Sequence, residues 1–201
     1  MIGAARAKTR HPVGASNGSR LRALLNSTSI RALRAAPAIV GLGVTLVSPA
    51  SAQTTLGSST STVSLDAYST GNPFILPSGQ SIAVPTSNGI VGSSAEPWTL
   101  TNNGYISSST SSVHLISNST IINNGNIHGG VAVDLDNGGL ISNSGTITGV
   151  GQGINLLAGG TVTNAAGGVI QTSGSVSSNG ILVNGGAGTI ANSGVISGGA
   201  T

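Results

Sequence analysis

One short phrase returns five times between Trp98 and Thr201, and a chain built this way has few ways to fold. The phrase reads Leu100-Thr-Asn102-Asn-Gly104-Tyr-Ile106, then Ile121-Ile-Asn123-Asn-Gly125-Asn-Ile127, then Ile141-Ser-Asn143-Ser-Gly145-Thr-Ile147. A stretched copy, Val162-Thr-Asn164-Ala-Ala-Gly-Gly-Val-Ile170, and a last one, Ile190-Ala-Asn192-Ser-Gly194-Val-Ile196, complete the series. The leading asparagines advance by 21, 20, 21 and 28 residues. A period near 20 is that of a solenoid, in which each copy is too small to bury its own apolar face and buries it against the next.

Three sets of aliphatic positions recur in each circuit. The first is Leu100, Ile121, Ile141, Val162 and Ile190, and the second is Ile106, Ile127, Ile147, Ile170 and Ile196. The third consists of the pairs Val113 with Leu115, Val133 with Leu135, Ile154 with Leu156 and Ile181 with Val183. Strand side chains alternate between faces, so each Val-x-Leu pair puts two aliphatic groups on one side and a polar neighbour on the other. Three short strands per circuit, each burying one face, predict an all-β chain folded as a right-handed parallel β-helix of about five coils.

In that geometry, equivalent residues of successive coils lie one strand spacing apart, roughly 4.8 Å. Asn102, Asn123, Asn143, Asn164 and Asn192 would therefore stack, and their amides could bond up and down the column as a structural ladder. The following glycines, Gly104, Gly125, Gly145 and Gly194, suit a turn needing positive φ. Exposed Asn-x-Gly hairpin turns are the competing account. A hairpin protein, however, has no reason to hold a circuit near 20 residues.

Upstream, residues 53–97 read as a lead-in segment and N-terminal cap, and residues 98–201 as the repeats. The stretch 53–73 is Ser/Thr-rich with weak alternation and is expected to be loosely ordered. From Phe74 to Val91, short apolar runs separated by turn residues suggest a first irregular coil covering one end of the stack. At the other end, Thr201 falls after the second strand of the fifth full circuit. The exposed row there is expected to self-associate end to end or to fray.

The charges are segregated. All seven Lys and Arg residues lie between Arg6 and Arg34, and the four acidic residues, Asp66, Glu96, Asp134 and Asp136, all follow. A nucleic-acid partner is excluded for the repeats, because a phosphate-binding surface needs clustered basic residues that they lack. The basic front is followed by the apolar run Ala35–Val47 and by Ser48-Pro-Ala-Ser-Ala52, with small residues where a signal peptidase reads. That run is short for a membrane span. Residues 1–52 are therefore read as a signal peptide for the Sec export machinery, cleaved between Ala52 and Gln53; a mis-assigned upstream start and a retained anchor helix are the alternatives. Cysteine is absent, which suits an envelope protein and says little else.

Trp98-Thr-Leu-Thr-Asn102-Asn-Gly-Tyr-Ile106, Gly153-Ile-Asn-Leu-Leu-Ala-Gly-Gly160 and Thr189-Ile-Ala-Asn-Ser-Gly-Val-Ile-Ser-Gly198 resemble the N-terminal passenger region of bacterial autotransporters, the type Va secreted outer-membrane proteins. The resemblance covers about residues 70–201. It implies a surface-displayed or secreted passenger of a Gram-negative bacterium, at the cell surface, in the outer membrane or outside the cell. Its implied role is structural or adhesive, with a host surface, a glycan or another copy as partner. The family ends in an outer-membrane β-barrel, which this chain does not contain, so the resemblance implies a fragment, a truncated reading frame or a barrel-less relative, with membrane contact only through the missing barrel.

The alternative function is a β-helical glycan-active enzyme. Aligned circuits put His114, Asp134, Asn155 and Leu182 in one outward column, with Asp136 on the face of Asp134, and paired carboxylates can do acid and base work. A solvated polar face is the preferred reading of these residues. No catalytic residue, cofactor or metal set is assigned. A second outward column, Thr99, Thr120, Leu140, Thr161 and Thr189, is read as β-favourable surface, and His128 as a surface residue.

Overall fold

In the computed structural model, residues 52–68, 71–174 and 178–199 are described. The basic and apolar front segment lies outside them. The described chain is all-β apart from one 3-10 turn at Leu65–Ala67, and its strands are parallel and stacked as a β-solenoid of about six turns. One sheet stacks Thr54–Thr55, Phe74–Leu76, Thr99–Asn102, Ser119–Asn123, Gly139–Asn143, Gly160–Asn164 and Gly188–Asn192 in that order. The remaining strands form a second sheet in two rows. Ser81–Val84, Tyr105–Ser108, Val169–Thr172 and Val195–Ser197 belong to one row, and Val63–Ser64, Ile90–Gly92, Ser111–Leu115 and Asn179–Val183 to the other. Two long strands, Asn126–Leu135 and Thr146–Leu156, run through both rows.

Register explains the core. Phe74, Leu100, Ile121, Ile141, Val162 and Ile190 are consecutive Cα partners. So are Ile82, Ile106, Ile127, Ile147, Ile170 and Ile196, and Val63, Ile90, Val113, Val133, Ile154 and Ile181. From Phe74 to Ile170 the members of the first two columns are fully buried. Each β-branched side chain thus packs on its own copy above and below, the contact that strand geometry favours.

The stack has about six turns rather than five because the segment 53–97 already carries rungs. Thr54 pairs with Phe74, Val63 with Ile90, and Phe74 with Leu100, and Leu56 and Leu65 are buried. These coils lack the Asn-x-Gly phrase, since Leu76 occupies the position that Asn102 takes one rung later. An aromatic cluster fills them instead. Tyr68 meets Phe74 edge-on at 5.4 Å between ring centroids, and Phe74 lies 6.1 Å from Trp98. Trp98 is buried and donates its indole N–H to the Ser93 carbonyl at 2.8 Å, the partner a buried indole requires.

The turn glycines do a different job from the one expected. None of Gly104, Gly125, Gly145 and Gly194 has positive φ. A Cβ on Gly125 would run into the carbonyl oxygen of Gly104, and one on Gly145 into that of Gly125. The turns of successive coils touch through their backbones, and glycine is needed because nothing else fits between them. Gly57 is also a glycine without positive φ, but a Cβ there meets nothing within 4 Å. Gly57→Ala should therefore leave stability unchanged or raise it by up to about 1 kcal/mol, while Gly145→Ala should lower it by about 2 kcal/mol or more. Urea unfolding followed by circular dichroism measures both.

Candidate functional site

The Asn-x-Gly turns place five amides in one inward column. Asn102 Nδ2 donates to Asn123 Oδ1 at 2.8 Å, Asn123 to Asn143 at 2.7 Å, Asn143 to Asn164 at 2.8 Å and Asn164 to Asn192 at 2.8 Å. The first four of these asparagines are buried, while Asn192 is exposed. Each interior amide also bonds backbone carbonyls: Asn143 Nδ2 reaches Gly145 O at 3.1 Å and Val169 O at 3.2 Å. At the start of the column, where Leu76 is the neighbour below, the Asn102 oxygen accepts from the Gly104 N–H at 3.1 Å. The column thus satisfies its own amides and ties each turn to the start of the second strand of the next coil.

A second, outward column runs beside it. Asn124 donates to Asn103 Oδ1 at 2.8 Å, and the Ser144 hydroxyl donates to Asn124 Oδ1 at 2.8 Å. Sequence reasoning passed over these residues. The signal was the polar second letter of the phrase in its first three copies, Asn-Asn, Asn-Asn and then Asn-Ser, which gives way to Ala165 in the fourth.

The outward face of the third strand row carries the titratable groups. Val91, His114, Asp134, Asn155 and Leu182 are successive Cα partners. His114 lies beside Asp134 in register, but its Nε2 contacts Asp136 Oδ1, at 3.1 Å, with the two side chains 27% and 33% exposed. Asp134 accepts instead from Asn155 Nδ2 at 2.9 Å and from the Ser111 hydroxyl at 3.4 Å. Asp136 sits one residue beyond the strand that ends at Leu135, and its N–H donates to the Leu115 carbonyl at 3.1 Å. One ligating atom from each of His114, Asp134 and Asp136 lies within 4.8 Å of the other two. The sequence assigned no metal set; the alternation of the strand pointed to Asp134, but not to a turn residue closing over the histidine.

Elsewhere the polar surface is simpler. His128 is exposed and lines, with Tyr105, Pro85 and Ser107 to Ser109, a concavity of about 430 Å³. A second concavity of about 390 Å³ lies near Leu56, Ser64 and Tyr68. Neither is lined by His114, Asp134 or Asp136. The threonine column is in register, Thr99, Thr120, Leu140, Thr161 and Thr189 being successive partners interrupted by leucine. At the N-terminal end, the Ser93 hydroxyl, helped by the Ser93 N–H and the Ser64 hydroxyl, holds the exposed Asp66 carboxyl below the usual carboxylate range against an opposing effect of desolvation. Ala52 and Gln53 are exposed and outside regular structure; the rest of the segment read as a signal lies outside the described residues. No helix among the described residues is long and apolar enough to cross a membrane, which has no bearing on β-barrel spans.

The inward amides set up a graded test of the ladder. Asn143→Ala removes the donor to the buried Asn164 Oδ1 and the acceptor for Asn123 Nδ2, along with its own bonds to Gly145 O and Val169 O, so it should cost about 3 kcal/mol. Asn192→Ala acts at an exposed rung and should cost less than about 1 kcal/mol. Chemical denaturation of the two variants gives both values, and equal costs would show that the column is not what holds the interior turns.

Against protein-family models, characterised proteins and solved structures the chain finds no match, so any functional reading of it stands on the geometry and sequence alone.

Proposed function

We propose that the chain is an exported structural passenger, displayed on or released from the surface of a Gram-negative bacterium, where its polar sheet faces support adhesion or self-association. The observation that carries this reading is the pairing of two features in one chain: a basic, then apolar, then small-residue front, and a solenoid whose repeats are polar outside and self-satisfying inside. A fold that closes its backbone and amide hydrogen bonds coil by coil can assemble progressively as it emerges, which suits a protein delivered outside the cell. On this reading the coil is right-handed, as parallel crossovers between right-twisted strands are, and residues 1–52 are removed.

The resemblance of the repeats to autotransporter passengers supports the same reading. Partners would be the Sec export machinery during transit, and afterwards a host surface, a glycan or another copy. The expected mature N-terminus is Gln53. N-terminal sequencing of protein recovered from the envelope and the culture medium of an expressing Gram-negative host tests this, and intact Met1 in cytoplasmic material as the dominant product would overturn it. Glycan cleavage by the purified protein that disappears in the His114→Ala variant would replace this reading with a glycan-active enzyme.

A further inference from the structure

We propose that Asn137 and Asn184 are sites of spontaneous covalent modification, at which the side-chain amide is exchanged for a carboxylate by water, while the fold protects the other asparagines of the same kind. The reaction belongs to asparagine followed by glycine. The glycine nitrogen gives up its proton and attacks the asparagine Cγ, the bond from Cγ to the amide nitrogen breaks, and that nitrogen leaves with the proton as ammonia. Water then opens the five-membered imide at either carbonyl, giving aspartate or isoaspartate. One water is consumed and one ammonia released, with no oxidation or reduction. The step needs a side chain free to turn onto its own backbone and a following N–H that is not held elsewhere.

Six Asn-Gly pairs lie between residues 52 and 199, beginning at Asn88, Asn103, Asn124, Asn137, Asn179 and Asn184. Four of them are restrained. Gly89 N–H donates to Ser111 O at 3.0 Å, and Asn88 Oδ1 accepts from the Thr110 hydroxyl at 2.6 Å and from Ser111 N–H at 3.1 Å. Gly104 N–H donates to Asn102 Oδ1 at 3.1 Å, and Gly125 N–H to Asn102 O at 3.0 Å. The Asn103 and Asn124 side chains are held in their outward column, Asn124 Nδ2 donating to Asn103 Oδ1 and the Ser144 hydroxyl to Asn124 Oδ1, both at 2.8 Å. Asn179 and Gly180 lie inside the strand Asn179–Val183, with Asn179 in register with Gln152.

Asn137 and Asn184 differ on both counts. Both are exposed, and among the described residues neither side chain makes a hydrogen bond, nor does the N–H of Gly138 or Gly185 meet an acceptor. The stack explains why. The N–H groups of Asp136, Leu157 and Asn184 donate to the carbonyls of Leu115, Leu135 and Leu156, so these three residues hold equivalent positions one step past the third strand of successive coils. Asn184 therefore has Leu157 as its neighbour in the preceding coil, and Asn137 has Ala158 as its neighbour in the following one. Neither neighbour has a side chain that can bond an amide. The polar column that ties down Asn103 and Asn124 is interrupted in this second turn. Gly138 and Gly185 have φ of 72° and 68°, a conformation that glycine adopts without strain, so each turn favours the very residue that makes its asparagine reactive.

The test incubates the full 201-residue chain in mildly alkaline buffer and follows each Asn-Gly pair by peptide mapping with mass spectrometry, with enzymatic methylation of isoaspartate as a second readout. Circular dichroism confirms that the solenoid stays folded. Asn137 and Asn184 should convert about tenfold or more faster than Asn88, Asn103 and Asn124, because two or more hydrogen bonds must open before those three can react. In concentrated urea the spread should collapse. Asn137→Gln should abolish conversion at that turn and leave the rate at Asn184 unchanged. Equal rates at all the pairs of the folded chain, fastest conversion at Asn103 or Asn124, or a spread that survives unfolding would each overturn the assignment. None of these readouts depends on whether the protein is exported.

Discussion

In-register parallel stacking is the constraint on which this structure depends. With rungs about 4.8 Å apart, the nearest neighbours of any side chain are the equivalent side chains above and below it. An inward position must therefore be filled by a group that tolerates a copy of itself at contact distance. Isoleucine, leucine and valine do so by packing. Asparagine does so because its amide carries a donor and an acceptor at opposite sides, so a column of them bonds end to end. A carboxylate cannot, and all four acidic residues lie outside the core.

The same constraint reaches the backbone. Where one turn rests directly on the next, at Gly104, Gly125 and Gly145, no side chain fits between the carbonyl of one coil and the α-carbon of the following one. Where the long strand Asn126–Leu135 passes between rows, the register shifts between Gly129 and Val131, and the buried Ser112 hydroxyl donates to the His128 carbonyl beside the irregularity. Where the repeat phrase is missing, at the Phe74 coil, the aliphatic columns continue but Leu76 replaces the asparagine, and the rings of Phe74 and Trp98, with Tyr68 edge-on at the surface, add aromatic packing. Each departure from perfect repetition is matched by a local substitute for what the repetition would have provided.

These rules decide what was legible in the sequence. The aliphatic columns and the positions of Asn102 to Asn192 could be read because both follow from period alone. The coil from Phe74 to Val91 could be read only as an irregular cap because Leu76 stands in the asparagine position, and the rungs at Thr54 and Val63 were missed because the phrase that marks a coil is absent while its register persists. The His114 contact with Asp136 was hidden for a different reason: strand alternation predicts which residues share a face, and Asp136 lies past the strand end, in a turn whose path alternation does not describe. The role of the turn glycines was misread because sequence identifies that a Cβ is unwelcome without saying whether φ or a neighbouring carbonyl forbids it.

Rung register is the claim from which everything else follows, and the absence of cysteine makes it directly measurable. Thr120 and Leu140 are outward partners on adjacent rungs, and Thr161 is the partner of Leu140 on the rung after that. A disulfide needs α-carbons about 4.4–6.8 Å apart, which adjacent rungs provide and alternate rungs, at about 9.6 Å, do not. The double variant Thr120→Cys with Leu140→Cys should therefore oxidise to an intramolecular disulfide, and Thr120→Cys with Thr161→Cys should remain reduced under the same conditions. Intramolecular cross-linking of the second pair, or failure of the first, would contradict the stacked solenoid described here.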